Sequence, residues 1–426
     1  MNNQTLMNTD SSIPVLRRRS HRLAAGLLCF LLPLCAWSGP VSGVTAQQRY
    51  PWNGLVDISF SLSEDAIVTV SATDTGTGAV LPVATLSEDG EAIANGQTGL
   101  AAGEHRLVWN ADTDVPNALH ENVEVTVSAD NSLYMIVDLT KVNGKYPVSY
   151  RAGPPVGGWP IEYKTKHLVL RKIKAGTFRM GSPSSEWGRR DNEDVHMVTI
   201  SKDYYIAIFE TTMAQSFLAG GPSTTNSVYL WTPEYPFYRS GSSGNSTPNP
   251  YAESTANVAA LVSESLSNAT DFDFALPTEA QWEYACRAGT STALYTGANP
   301  SSKNHIWIEL SGYELFKGDA GPYALNSTKM LPVGMFRPNP WGLFDMYGNV
   351  QEICRDLYKK NLSNTAVTDP CIQTGSGNVV KGSCILKTGS NSTTLGTNEK
   401  ALRSAFRTQP GTGGDYGFRL VATERE

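Results

Sequence analysis

Two short stretches hold the side chains with the most chemical potential. The segment "VVKGSCILKTGS", residues 379–390, contains a single thiol, Cys384, directly after Gly382 and Ser383. A cysteine is a nucleophile or a soft-metal ligand only as the thiolate, which needs an accessible, electropositive setting. Lys381 and Lys387 are the only cations close by in sequence. Otherwise Cys384 is a small buried residue, or half of a disulfide for which Cys371 is a candidate partner. The second stretch, "DMYGNVQE", gathers hard oxygen donors around a glycine turn: the carboxylates of Asp345 and Glu352 and the backbone carbonyls of Gly348 and Val350. Such a set suits calcium. The alternative is a turn whose acids cap neighbouring amides.

Other chemistry finds little support in the composition. Six cysteines are present, with no C-x-x-C spacing, and the six histidines are scattered, so a zinc site has no basis. Removing an N-terminal leader takes Cys29 and Cys35 away. Cys286, Cys354, Cys371 and Cys384 then remain, enough for two disulfides in three possible pairings. The formal net charge is −6. It moves to −9 once the leader, with four arginines and one aspartate, is gone. No basic run follows, so nucleic acid is not an expected partner.

The leader is read from Arg17, Arg18, Arg19 and Arg22, which precede an apolar run from Leu23 to Trp37 and then small residues. A charged head, apolar middle and small-residue exit make a secretory signal peptide over residues 1–46, with cleavage expected near Ala46. The run is too short for a transmembrane span. The product is therefore expected to be exported: periplasmic, cell-surface or secreted.

The elements that position the two stretches fall into two domains. Residues 47–130 alternate apolar and polar side chains, as in "VDISFSL" and "AIVTVSAT", which predicts an all-β unit. "GLAAGEHRLVWNADT" resembles a turn and strand of the immunoglobulin-like sandwich found in the flagellar hook-capping protein. That likeness implies that Trp109 caps the core and that the unit is a spacer. Residues 131–165 read as one possible strand, "YMIVDL", and a Pro/Gly linker. Residues 166–426 form the second domain. In it "TEAQWEYACRAG" predicts a helix with a Thr278–Gln281 capping box, Trp282 and Ala285 on one face, and a stop at Gly289. "VHMVTI" and "YYIAIFE" read as paired strands, and "GFRLVA" as a final strand beside the first.

Four ordered blocks carry a family resemblance. They are "KAGTFRMGSPSSEWGRRDNEDVHMVTISKDYYIAIFETTMAQ", "ALPTEAQWEYACRAGT", "LPVGMFRPNPWGLFDMYGNVQEICRD", and "VVKGSC" with "ALRSAFR" and "YGFRLV". Across nearly the whole second domain they resemble the sulfatase-modifying-factor family, whose founding activity is the formylglycine-generating enzyme. The resemblance implies an α+β, C-type-lectin-like fold with little regular structure. It also implies calcium at Asp345, Gly348, Val350 and Glu352, which match the family's motif position by position. A second family calcium site, near an Asn-Ile-Trp, meets His305 in "NHIWIEL" and is not expected.

The oxidase branch of the family converts a sulfatase cysteine to formylglycine through two cysteines after "GGS" that bind Cu(I). Here Cys384 stands directly after the serine, where the family usually has tryptophan or tyrosine, and no second cysteine follows. One thiolate cannot make the two-sulfur copper site, so copper is not expected and Cys384 is the sole catalytic candidate. The family's "NVWEWC" reads "NVQEIC", with Gln351 and Ile353 in place of two tryptophans. The segment 385–400 is rich in Ser, Thr, Asn and Gly. With the residues after it, this segment offers Lys387, Asn391, Thr394, Asn398, Arg403, Arg407, Asp415 and Tyr416 to a ligand. Arg403, Arg407 and Arg419 could equally pair with acids inside the fold. The expected function is a non-catalytic binding module for a glycan, a peptide or an exported protein. The alternatives are the formylglycine-generating oxidase and a variable receptor diversified by a retroelement.

Overall fold

The computed structural model describes residues 13–14, 41–50, 53–96, 98–116, 120, 122–222, 234–237, 254–310, 331–362, 364–383, 399–409 and 416–425. It divides into two compact units, residues 1–134 with 150–154, and residues 135–149 with 155–426.

Strict alternation builds the first unit. In Leu55–Leu62 every second residue is buried (Val56, Ile58, Phe60 and Leu62), and Ala66–Asp74 does the same from Ala66. Leu55–Leu62 lies between Val41–Gln48 and Gly103–Asn110 in one antiparallel sheet. Ala66–Asp74 lies beside Val123–Asp130 and Ala79–Leu81 in another. The inward faces of both sheets contribute to one apolar core. Trp109 is fully buried there, and its indole Nε1 donates to Asp114 Oδ2 at 2.9 Å. The same carboxylate oxygen accepts the amides of Ala84 and Thr85, tying the loop to the core. Ala46 is buried in Val41–Gln48 opposite Ile58. A chain cut at that bond would lose most of this edge strand.

The second unit is mixed and irregular. Its main sheet runs in the order Val148–Arg151, Tyr134–Asp138, His167–Ile173, Tyr204–Ala207, Val421–Glu424, Phe272–Ala275. Tyr134–Asp138, the strand read from "YMIVDL", thus belongs to this sheet. Helix Thr255–Ala269, capped by the Ser254 hydroxyl, contributes Val258, Val262 and Leu266 to the core shared with the sheet. Two three-stranded sheets complete the unit: Gly176–Met180, His196–Ile200, Val367–Thr368, and Asn378–Lys381, Gln351–Leu357, Tyr416–Gly417.

Helix Glu279–Arg287 starts on the Thr278–Gln281 capping box and buries Trp282 and Ala285. It ends at Ala288 in the left-handed region, one residue before Gly289. Two strand pairings differ from expectation. His196–Ile200 pairs with Gly176–Met180 rather than with Tyr204–Ala207, which pairs with His167–Ile173. The final strand lies between Tyr204–Ala207 and Phe272–Ala275, one strand away from His167–Ile173. The physical reason is that alternation fixes which face of a strand is buried but not which strand lies beside it.

Trp109→Ala should destabilise the first unit by roughly 3–5 kcal/mol, because it removes the largest core side chain and leaves Asp114 without its indole donor. Urea denaturation with amide exchange in Leu55–Leu62 and Ala66–Asp74 measures this.

Candidate functional site

Strand Gln351–Leu357 organises the site because its side chains alternate between two environments. Glu352 faces a buried polar network. Its carboxylate takes Arg419 on both oxygens (Nη2 to Oε1 at 2.6 Å, Nε to Oε2 at 2.7 Å), and Trp282 Nε1 donates to Oε2 at 2.8 Å. Arg419 also donates to the carbonyls of Ala207, Ile208 and Phe344. One guanidinium thereby joins the main sheet, the loop before Asp345 and the central strand.

The turn that delivers Asp345 is tight. Asp345 and Asn349 both have positive φ, 57° and 62°. Asp345 Oδ2 accepts the Gly334 amide at 2.6 Å. Gly334 is required at its position: its φ is +65°, and a Cβ there would lie 2.2 Å from Phe209 Cε1. The Asn349 amide donates to Glu210 Oε2 at 2.7 Å, and the Val350 N–H donates to Glu210 Oε1 at 2.9 Å.

Three buried carboxyls, Glu210, Asp345 and Glu352, therefore surround the one guanidinium of Arg419. Burial, followed by the charges of Asp345 and Glu352, pushes the Glu210 carboxyl well above the usual range. Burial pushes Asp345 up to about 6, although the Gly334 amide, Arg419 and Lys164 act against it. This surplus of negative charge is a chemistry that suits a hard cation. Against that, Arg419 and Trp282 already engage both oxygens of Glu352. Among the described residues, no three His, Cys, Asp or Glu side chains are grouped to hold a metal by themselves, so a cation here would depend on backbone carbonyls.

A second network is purely structural. Glu279, Glu283 and Arg287 follow one another at helical spacing of four. Glu283 bonds Arg287 at 2.8 Å and the fully buried Lys381 at 2.9 Å. Burial acts to raise the Glu283 carboxyl, but Lys381 and Arg287, helped by a Lys381 hydrogen bond and the Gly181 amide, bring it down to about 2.

Of the residues expected to contact a ligand, Arg403 and Arg407 lie buried in ion pairs instead. Arg403 meets Glu186 and Glu193 and the carbonyls of Lys400 and Gly188, which occupies all its N–H groups. Arg407 meets both oxygens of Glu279 and the carbonyls of Asn192 and Lys359. Arg403 has no N–H left for a ligand, and Arg407, at 1% exposure, is out of reach of one. Tyr416 is half-buried and is the register partner of Gln351 in a parallel pair, so the two side chains leave the same face. Gln351 is 4% exposed, and its Oε1 has no hydrogen-bond partner among the described residues. Cys384, Lys387, Asn391, Thr394, Asn398 and Asp415 lie outside the described residues.

Cys286, Cys354 and Cys371 carry free thiols, so Cys371, the partner considered for Cys384, is unpaired. Burial pushes Cys286 up to about 12 and Cys354 well above the ordinary thiol value. Sequence reasoning missed Glu210 and the acids that hold Arg403 and Arg407, namely Glu186, Glu193 and Glu279. The four-residue spacing of Glu279, Glu283 and Arg287 was a legible signal, whereas Glu210 offered none.

The family to which the chain is matched agrees with the architecture of the second unit. Residues 163–424 match the sulfatase-modifying factor enzyme 1-like domain. This match covers more than half of the chain, and the chain belongs to that family; the mixed sheets and few helices of the second unit fit its C-type-lectin-like fold. A formylglycine-generating enzyme from Thermomonospora curvata is 33% identical over 119 residues, 26% of this chain and 38% of that protein. The chain thus spans well under half of this curated relative. Among solved structures, Treponema denticola variable protein 1 is 21% identical, covering 60% of this chain and 95% of its own, with a TM-score of 0.43. PvdO from Pseudomonas aeruginosa is also 21% identical, covering 60% and 94%, with a TM-score of 0.41.

Glu283→Gln should cost roughly 3–5 kcal/mol at neutral pH, because Lys381 and Arg287 would keep buried charges without their shared carboxylate. A depressed carboxyl stabilises above its unfolded value and loses that contribution as pH falls. The gap between parent and variant should therefore narrow from about pH 4.5 down toward about pH 2. Thermal melts across that range measure it.

Proposed function

We propose that this chain is an exported, non-catalytic binding module whose ligand is a glycan, a peptide or another exported protein. The observation that carries this reading is the solitary cysteine after Lys381-Gly382-Ser383. No cysteine follows Cys384, so a two-thiolate Cu(I) site has no second ligand in this part of the chain. The thiols of Cys286 and Cys354 are buried and kept protonated, which makes them poor substitutes. Gln351 supports recognition rather than oxidation: a buried acceptor beside Tyr416 suits a hydrogen-bonding ligand. The first unit, two antiparallel sheets around one core, reads as an immunoglobulin-like spacer. The likeness to a formylglycine-generating enzyme favours the oxidase as the second reading.

Calcium belongs to the same proposal. The Asp345 carboxylate and the carbonyls of Gly348 and Val350 would hold it, with Glu352 contributing the lone pair that Oε1 keeps beside its bond to Arg419, and the cation would offset the charge surplus around Glu210. It would act as a structural brace, fixing the turn that leads into Gln351.

The decisive experiment incubates the full exported chain aerobically with Cu(I), a reductant and a Cys-x-Pro-x-Arg peptide. Mass spectrometry should find no aldehyde. Conversion by the parent that is lost in Cys384→Ala would establish the oxidase instead. For calcium, thermal melts should show a gain on adding the ion that Asp345→Asn abolishes. The neutral amide tolerates positive φ and still accepts the Gly334 N–H. A raised carboxyl opposes folding increasingly as pH rises from its unfolded value, and the full cost is present above its folded value. In chelator above about pH 6, Asp345→Asn should therefore be at least as stable as the parent, with its advantage fading as pH falls toward the unfolded carboxyl value.

A further inference from the structure

A cavity of about 200 Å³ lies between the end of strand Gln351–Leu357, the first turn of helix Glu279–Arg287 and the small sheet containing His196–Ile200. None of the networks above accounts for it. Its walls are mostly apolar: Met180, Ala280, Leu362, Val367, Pro370 and Ile372. An apolar cavity near 150 Å³ is already large enough to take one benzene ring. Lys359 and Asn361 are exposed at its mouth.

The polar groups in the wall are nearly all committed. Both oxygens of Glu279 are held by Arg407. The two oxygens of Asp356 accept the amides of Ile372 and Glu279. Lys359 and Asn361 stand at the mouth, and inside it His196 is the exception. It is 7% exposed, and its Nδ1 lies 2.9 Å from the Asp194 carbonyl. A ring nitrogen facing a carbonyl must carry the proton, so in the neutral ring Nε2 is an acceptor. The cavity thus offers one acceptor in an apolar enclosure, and Met180 brings a thioether of the kind that packs well against aromatic rings.

We infer that this cavity is a binding site for a phenolic group, with the ring against Met180, Val367 and Ile372 and the hydroxyl donating to His196 Nε2. The phenol is either a free small molecule or the tyrosine side chain of a partner. The site uses neither calcium nor Cys384, so it stands whether the chain is a binding module or an oxidase.

The test uses the full chain with 13C-methyl-labelled methionine, the Met180 signal being assigned through Met180→Leu. Titration with p-cresol should shift the Met180 methyl saturably and leave distant methionines unmoved. Toluene, with the same shape and no donor, should bind roughly three- to tenfold more weakly, the value of one neutral hydrogen bond. His196→Asn can place its amide nitrogen where Nδ1 stood, keeping a donor for the Asp194 carbonyl, but has no acceptor at the Nε2 position, and should bring p-cresol down to the toluene level. N-acetyltyrosinamide supplies the second arm: binding as tight as p-cresol assigns the site to a partner's tyrosine, and binding of p-cresol alone assigns it to free phenols. No saturable Met180 shift with p-cresol, or toluene binding as tightly as p-cresol to the parent, would overturn the inference.

Discussion

The second unit depends on the buried pairing of Arg419 with Glu352. A guanidinium in the interior costs several kcal/mol unless every N–H finds an acceptor. Arg419 meets that condition with the two carboxylate oxygens and three backbone carbonyls drawn from separate parts of the chain. One of them, Phe344, belongs to the loop before Asp345, which is neither helix nor sheet. The ion pair thus does for an irregular fold what a ladder of backbone hydrogen bonds does for a regular one. Without it, the central strand, the main sheet and the acidic turn would have no common anchor.

The same solution recurs around it. Arg403 holds Glu186 and Glu193, Arg407 holds Glu279, and Lys381 holds Glu283, each at or near zero exposure. A core built from short strands has little continuous apolar surface, and such pairs specify geometry where hydrophobic packing alone would be permissive. Their cost also explains the imbalance at Glu210 and Asp345. The network supplies one guanidinium to three carboxyls, and the surplus gathers in the turn that carries the calcium-type sequence.

What could be read from the sequence follows the range of each interaction. The Thr278–Gln281 capping box is local, and its residues state it outright. The alternation in residues 55–62 declares its buried face in the same way. The family blocks were legible because four of them occur in order. Pairing between distant segments was not. Nothing in "VHMVTI" says that its neighbour is Gly176–Met180, and Arg403 reaches Glu193 across 210 positions. The arginines near the C-terminus could be read as ligand contacts or as buried pairs, because a guanidinium serves both ends and only the placement of the acids decides. Gln351 looked like a lost tryptophan. Its orphan oxygen is a property of packing, invisible in a string of letters.

The buried ion pairs also set boundaries on change. Segment 384–398 begins just after Lys381–Ser383 and ends just before Leu402 and Arg403, all of them buried. Each flank is fastened by its own salt bridge, Lys381 to Glu283 and Arg403 to Glu193. A change that removes either acid would strand a buried cation, so the two flanks are the positions least open to substitution. In evolutionary terms, each of these cations is tied to its acid, and neither partner can be replaced before the other without a destabilised intermediate.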